Sequence, residues 1–486
     1  MLVSLYTVRV ILETLGAEDY GIYNVVAGIV TMFSFMSGAM SMASQRYFSF
    51  ELGRGNFEQL NKVFNLSLLI YVMIGILILL LGETIGLWFI SDKLVIPLEK
   101  KNSALWVYQF SIVSFLFTIL TSPYMAMIIA HEDMNIYAYV SIVEVSLKLG
   151  IVFVLRLIAW DKLTLYGLLI LAVTIINTTI YRIICLKKYK ECSFLFYWNK
   201  DLLKEIVNFT GWNLFGSIAW VCKNQGINIL LNQFFNPVIV TARSIASTVN
   251  GAVTSFSQNF GTAIRPQIIK TYASGQLKNM LLLVFYGSKG TYLLMYIFVL
   301  PLILELPMVL GLWLKNPPEY TVLFTRLVLL DVLMDSMSYS IMSAARATGK
   351  IGMYQFISGG ILLLNIPVSW ILLLMGTPAY SVLIVAFILT FIVFIVRLLI
   401  LKRLIDFSIR QFFKMVLLPV CVISIISAIL PIIIYYLLVQ SILRLFLITS
   451  ISVISVCLFS YYIGLNRDER QKVRSIVTSY VSIKKK

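Results

Sequence analysis

Two cations, two adjacent amides and a glycine interrupt a long apolar stretch of this 486-residue chain, KNQGINILLNQFFNPVIVTAR, from Lys223 to Arg243. A fixed charge at the centre of a membrane helix costs roughly 2.5–3.5 kcal/mol on insertion scales, so such residues usually face a bundle interior or a water-filled cavity. Lys223 and Arg243 so placed would handle something negative. Asn224 and Gln225 would add neutral donors to the same anion, or else bond a neighbouring helix, the commoner use of amides in membranes. Snorkelling is the competing reading for Lys223, but the residue sits far from both ends of its apolar run. Gly226 permits close helix packing.

Other charges share this setting. Lys289 and Arg9 are further candidate cavity cations, and Arg326 begins a segment where it can also act as a solvated anchor. Asp331 and Asp335 stand one helical turn apart, and carboxylates within a membrane can carry a coupling proton or ion. Bonds to Arg326 or to helix ends compete with that role. Glu144 is a third candidate coupling carboxylate, although Lys148 lies four residues on and can neutralise it across one helix face. Pro123, Pro301, Pro367, Pro419 and Pro431 fall inside apolar segments, as hinges for alternating access or as tolerated kinks.

The elements that must position these residues are membrane helices. The chain is 60% hydrophobic and 13% charged, with mean hydropathy +0.91, and runs long enough to span a bilayer, about 20 residues each, recur from end to end. The expected fold is an all-α polytopic membrane protein of about 14 transmembrane helices. The first run, Leu2 to Leu12, is too short to span and is counted as the end of a truncated helix; no signal peptide is read there. A loop is expected from Ser44 to Lys62, and a longer basic, amphipathic loop from Lys187 to Lys204 marks the best domain boundary. Lys and Arg concentrate in alternate short loops and in the tail ending Lys484, Lys485 and Lys486, which places both termini in the cytoplasm.

Self-comparison reveals a duplication. Gly28-Ile-Val-Thr31-Met-Phe33-Ser34 matches Gly251-Ala-Val-Thr254-Ser-Phe256-Ser257, Gly86-Leu87-Trp88-Phe89 matches Gly311-Leu312-Trp313-Leu314, and Tyr124 and Tyr139 match Tyr339 and Tyr354, all at nearly one offset. Half-chain repeats in membrane proteins point to transporters. The expected organisation is a six-helix lobe over 1–198, a second over 199–410, and two further helices with a basic tail over 411–486. Because each repeat holds an even number of segments, the lobes would be related by an axis along the membrane normal.

Several function classes are excluded. The net charge of +17 does not indicate nucleic acid, since no basic face carries interleaved aromatics. The five cysteines lie apart and the chain has one histidine, His131, so no structural zinc site, metal centre or cofactor site is read. No phosphate-cradling glycine loop or nucleophile–base set appears, and the reading is not an enzyme.

The segments YTVRVILETLGAEDYGIYNVVAGIV, SQRYFSFELGRGNFEQLNKVFN, NQGINILLNQFF and TARSIA with RPQIIKTYASGQL resemble the Wzx-type O-antigen repeat-unit flippases of the multidrug/oligosaccharidyl-lipid/polysaccharide (MATE-like) exporter superfamily. The resemblance covers nearly the whole chain. It implies a two-lobed bundle in the bacterial inner membrane that carries a lipid-pyrophosphate-linked oligosaccharide from the inner to the outer leaflet for surface polysaccharide assembly. It further implies that Lys223 and Arg243 meet the anionic linkage. With no nucleotide site read in the sequence, H+ or Na+ is the expected coupling ion, and membrane lipids and polysaccharide polymerase machinery are the expected partners.

Two alternatives remain open at this stage. A cation-coupled multidrug exporter of the same superfamily needs acidic groups for cationic drugs, and the first lobe offers only Glu144 deep in a segment. A membrane polysaccharide polymerase or ligase should display a large outer loop with polar catalytic residues, whereas the outer loops here are short.

Overall fold

The computed structural model describes residues 34–92, 97–158, 160–235, 237–314 and 316–465, with shorter stretches between 10 and 30 and at 470–471. Among the described residues the chain is helical throughout, and ten helices are long and apolar enough to cross a membrane. The chain divides into two compact units, 1–217 and 218–486.

In the first unit, helix α1 (Ser34–Arg54) and α2 (Phe57–Leu81) correct the expected Ser44–Lys62 loop: the stretch is the ends of two helices joined at Gly55 and Asn56. Gly55 takes φ +70°, which closes α1 in the left-handed conformation glycine adopts without a Cβ penalty. The Asn56 side chain then accepts the Gln59 amide and starts α2. Arg46, read as a loop cation, is buried on α1 with its guanidinium over the Tyr47 and Phe50 rings, 4.5 and 4.8 Å from their centroids. Polar residues in helix ends look like a loop in sequence, because here they face aromatic and ionic partners in place of lipid.

Beyond α2 a π-helical turn, Gly82–Gly86, leads into a short helix, Leu87–Asp92. Tyr108 of helix α3 (Lys101–Ala130) donates to the Gly82 carbonyl at 2.7 Å. A Cβ on Gly86 would lie 2.0 Å from the same hydroxyl, so the glycine of this GLWF motif is required by close approach. Helices α4 (Met134–Leu157) and α5 (Lys162–Lys188) follow. The basic connection after α5 is shorter than expected, because helix continues to Lys188 and resumes at Lys200. Asn61 and Asn65 of α2 hold it: their amides donate to the Ser193 carbonyl at 2.9 and 3.0 Å, and Asn65 accepts from the Leu195 amide at 3.0 Å.

Helix α6 (Lys200–Phe234) carries the chain across the division between the units, and α7 (Pro237–Ala273) returns. At 35 and 37 residues both exceed the length of a span, yet neither is among the ten apolar spans. Their polar content reflects the residues singled out from the sequence. Helix α8 (Leu277–Leu314) is kinked at Glu305, whose φ −97° and ψ 16° depart from helix between Pro301 and Pro307.

The remaining helices are α9 (Thr321–Ser336), α10 (Ser338–Ala347), α11 (Gly352–Leu363), α12 (Asn365–Leu374) and α13 (Ser381–Ile405). The α11/α12 break precedes Pro367, which lacks the amide needed to continue a helix ladder. Helix α14 (Leu418–Leu437) and α15 (Ile442–Phe459), the latter closed by a π-helical turn Ser460–Gly464, complete the described fold. A core of Ile227, Leu231, Ala242, Phe324, Val328, Leu383 and Ala386 joins α6, α7, α9 and α13. That apolar core surrounds the charged residues of the hairpin.

Candidate functional site

Lys223 projects from α6 into the second unit's interior, 6% exposed. Its ammonium donates to Thr390 Oγ1 of α13 at 2.7 Å and to Asp331 Oδ2 of α9 at 3.1 Å. Thr390 Oγ1 passes its own proton to the Ala386 carbonyl at 2.9 Å, so its lone pairs are left to face the ammonium. A lysine inside an apolar core is stable only when its three donors are so engaged.

Arg243, on α7, is 3% exposed and lies within coulombic reach of the same carboxylate. Its Nε and Nη1 have no hydrogen-bond partner among the described residues. Lys223, Arg243 and Asp331 line one cavity together with Asn224, Asn250 and Leu383, about 10 Å³ in volume. That is room for about one water molecule. Two cations therefore share one carboxylate, and the uncompensated charge resides on Arg243. An anion with oxygen acceptors would satisfy both unmatched N–H groups.

The other sequence candidates divide between this site and elsewhere. Asn224 lines the cavity but spends one amide proton on the Trp220 carbonyl at 3.0 Å. Gln225 is exposed and accepts from Asn228 at 3.1 Å, a local bond on α6 outside the cavity wall. Gly226 brings α6 against α12, since a Cβ there would meet Ile366 Cγ1 at 2.6 Å. Lys289 is buried on α8 away from this cavity; its ammonium donates to the Gly464 carbonyl beside the Tyr286 ring, at the edge of a largely apolar groove of about 530 Å³. Arg9 lies outside the described residues.

Asp331 and Asp335 each have a separate cation. Asp335 Oδ1 accepts from Arg397 Nη1 at 2.9 Å, while Asp331 serves Lys223. Arg326 bonds neither, donating instead to the Ile303 carbonyl at 3.2 Å. In the first unit Glu144 pairs with Lys148 at 2.6 Å and accepts from Asn177 at 3.2 Å.

Sequence reading passed over four charged residues. Arg397 and Arg346 are buried in α13 and α10, and Glu305 at the α8 kink forms a buried ion pair with Arg444 of α15, Nε to Oε1 2.7 Å. A lone Arg397 between Phe394 and Ile400, deep in an apolar run, was the available signal. Glu305 escaped because the apolar run expected from about Met280 to Leu304 stops just before it, whereas the helix kinks there and continues to Leu314.

No protein-family model matches the sequence, and no curated protein does. Solved structures with the same fold are numerous. The structure of a point mutant of a MATE protein superposes with TM-score 0.73 at 13% identity, covering 85% of this chain and 94% of that one. A MATE transporter in complex with Rb+ gives TM-score 0.68 at 14% identity, covering 85% and 93%. A transporter of the MOP superfamily from Pyrococcus furiosus, described as having reversed binding-pocket polarity and a different function, gives 0.65 at 12%, covering 84% and 94%. The chain has the fold of these transporters.

Proposed function

We propose that this chain is a flippase that moves lipid-pyrophosphate-linked oligosaccharide units from the inner to the outer leaflet of the bacterial inner membrane by alternating access, for surface polysaccharide assembly. The observation that carries the reading is Arg243: a nearly fully buried guanidinium with two unmatched N–H groups, lining a cavity whose carboxylate, Asp331, is already bonded to Lys223. Such an arrangement favours an anion over a cation. A pyrophosphate oxygen would engage Arg243 first and then draw Lys223 from Asp331, because a doubly charged acceptor competes with a singly charged one for the same ammonium. The cavity admits about one water as it stands, so the two leaflet-facing states would differ in its width. The lobes at 1–198 and 199–410, with 411–486 outside them, belong to this proposal, as do cytoplasmic termini.

A second reading, a cation-coupled multidrug exporter, is favoured by Asp331 itself, a partly exposed carboxylate on the same cavity wall. A drug cation or a coupling H+ or Na+ would then replace Lys223 on Asp331, and the Rb+ complex of a protein with this fold is in keeping with a monovalent ion.

Deletion of the gene followed by leaflet-specific labelling of lipid-linked glycan separates the readings. Accumulation of units on the inner face supports flipping. Unchanged glycan distribution, with increased retention of cationic dyes, overturns flipping in favour of drug export, and single units accumulating on the outer face would point to a polymerase.

A further inference from the structure

One group of buried charges takes no part in the Lys223 cavity. Arg346 ends α10, Tyr354 stands in the first turn of α11, and Arg397 comes from α13; their exposures are 8%, 1% and 7%. The α10/α11 connection turns at Gly349, φ +77°, and brings Arg346 and Tyr354 back to one end of the unit. Asp335 takes only Nη1 of Arg397, at 2.9 Å, from a side chain that is itself about one-third exposed. The Nε groups of Arg346 and Arg397 have no partner among the described residues, nor does the Tyr354 hydroxyl find an acceptor for its proton. Arg346 stands close enough to both Arg397 and Arg265 for like charges to repel. Tyr339 stands within electrostatic reach of Arg265 and Arg397.

Three guanidiniums thus neighbour one another, with the Asp335 carboxylate on Arg397, beside an apolar core that includes Ile341, Ala344, Leu398 and Leu401. Buried charge of one sign is costly unless an opposite charge and hydrogen bonds compensate it. Every unmatched group here is a donor, and guanidinium forks fit oxyanions in bidentate fashion. We propose that Arg346, Arg397 and Tyr354 form a second anion site, for a small oxyanion of the phosphate class. Its oxygens accept from the two Nε edges and the phenol at once, and the anion ties the α10/α11 turn to α13. The site is separate from the Lys223 cavity: Asp331 and Asp335, which serve the two places, are one turn apart on α9, about 6 Å along the axis.

The test is binding of radiolabelled inorganic phosphate to the purified full-length protein in detergent, with chloride holding ionic strength constant. Saturable binding is expected, weakened about tenfold or more in R346Q, where a charge-assisted bond is lost, and weakened also in Y354F, which removes only a hydroxyl. In phosphate-free buffer R346Q should melt no lower than wild type, since the substitution removes an uncompensated charge; an Arg346 serving only packing would melt lower. Competition by phosphatidic acid in mixed micelles identifies a lipid headgroup as the source, and lack of competition identifies the free ion. The proposal is overturned if wild type shows no saturable phosphate binding, or if R346Q and Y354F bind phosphate as wild type does.

Discussion

Asp331 Oδ2 stands 3.1 Å from Lys223 Nζ, joining a carboxylate of α9 to an ammonium of α6 inside an apolar core. The pair is close to neutral as a unit, and this separates the two cations that the sequence presents as equals. Lys223 is compensated at rest, with Thr390 taking another of its protons. Arg243 is buried beside it without a full set of acceptors. One residue is held in reserve by an internal anion while the other is exposed to any ligand entering the cavity.

Arg243→Ala is therefore expected to abolish surface glycan while the protein remains in the membrane at the wild-type level, read by glycan staining and immunoblot of the membrane fraction. Normal glycan display by this variant would remove the cavity from the proposed function. Lys223→Ala should act through stability as well as transport. Removing one partner of a buried pair costs about 3–5 kcal/mol where it leaves the other charge alone, but Asp331 is partly exposed and keeps Arg243 within coulombic reach, so Lys223→Ala should lose less than that. The double variant Lys223→Met/Asp331→Leu also takes away the carboxylate within reach of buried Arg243, so it should melt below Lys223→Ala, and it should likewise fail to display glycan.

Glu305 and Arg444 make the same argument at the kink of α8. Arg444 Nη2 donates to Glu305 Oε2 at 3.0 Å and its Nη1 to the Leu438 carbonyl at 3.0 Å, so one guanidinium holds both the kink and the α14/α15 turn. Glu305→Ala leaves that guanidinium without its buried counter-charge and should cost about 3–5 kcal/mol, measured as a lower melting temperature in detergent. Glu305→Gln keeps an acceptor and should lose less. Equal melting of Glu305→Ala and wild type would show the pair to be without structural weight.

Helical class and the placement of most spans were legible from hydropathy alone, because a bilayer demands runs of apolar residues whatever their partners. Lys223 and Arg243 were legible for the complementary reason: charges that break such a run need an explanation. Which charge answers which was not legible. Asp331 and Asp335 share spacing and chemistry, and only the approach of α6 to one and α13 to the other assigns Lys223 and Arg397. The Ser44–Lys62 stretch failed differently, since its polar residues mimic a loop while Arg46 buries itself against aromatic rings. Local composition reports polarity, and tertiary contact decides whether that polarity meets water or a partner.

Gly226 gives a packing test next to the site. A methyl group at this position would meet Ile366 Cγ1 at 2.6 Å and Cδ1 at 2.8 Å, both on α12. Gly226→Ala is expected to destabilise by about 1–3 kcal/mol through overpacking, and Ile366→Ala in the same chain should recover much of that loss by vacating the space. The measurement is a double-mutant cycle on melting in detergent. Additive losses from the two substitutions would contradict a direct contact between α6 and α12 here.

Asp133, in the turn between α3 and α4, supplies a pH test outside the membrane spans. Burial raises its pKa, but hydrogen bonds from Lys188 and Tyr189, the Lys188 charge and nearby His131 outweigh that effect and hold it below the ordinary aspartate value. Lys188 Nζ lies 2.8 Å from Oδ1, the Tyr189 hydroxyl donates to Oδ2, and His131 stacks on the Tyr189 ring at 4.2 Å. A folded-state pKa below the unfolded value, about 3.9, contributes stability that is present above the unfolded pKa and lost as pH falls through the folded one. Asp133→Asn removes the titrating group and keeps the shape. Wild type should thus melt above Asp133→Asn from pH 7 down to about 5, and the gap should close as the solution is taken below about pH 4. A gap that stays constant down to acid pH would mean that the side chain acts through packing and neutral hydrogen bonds, with its charge contributing nothing to the α3/α4 turn.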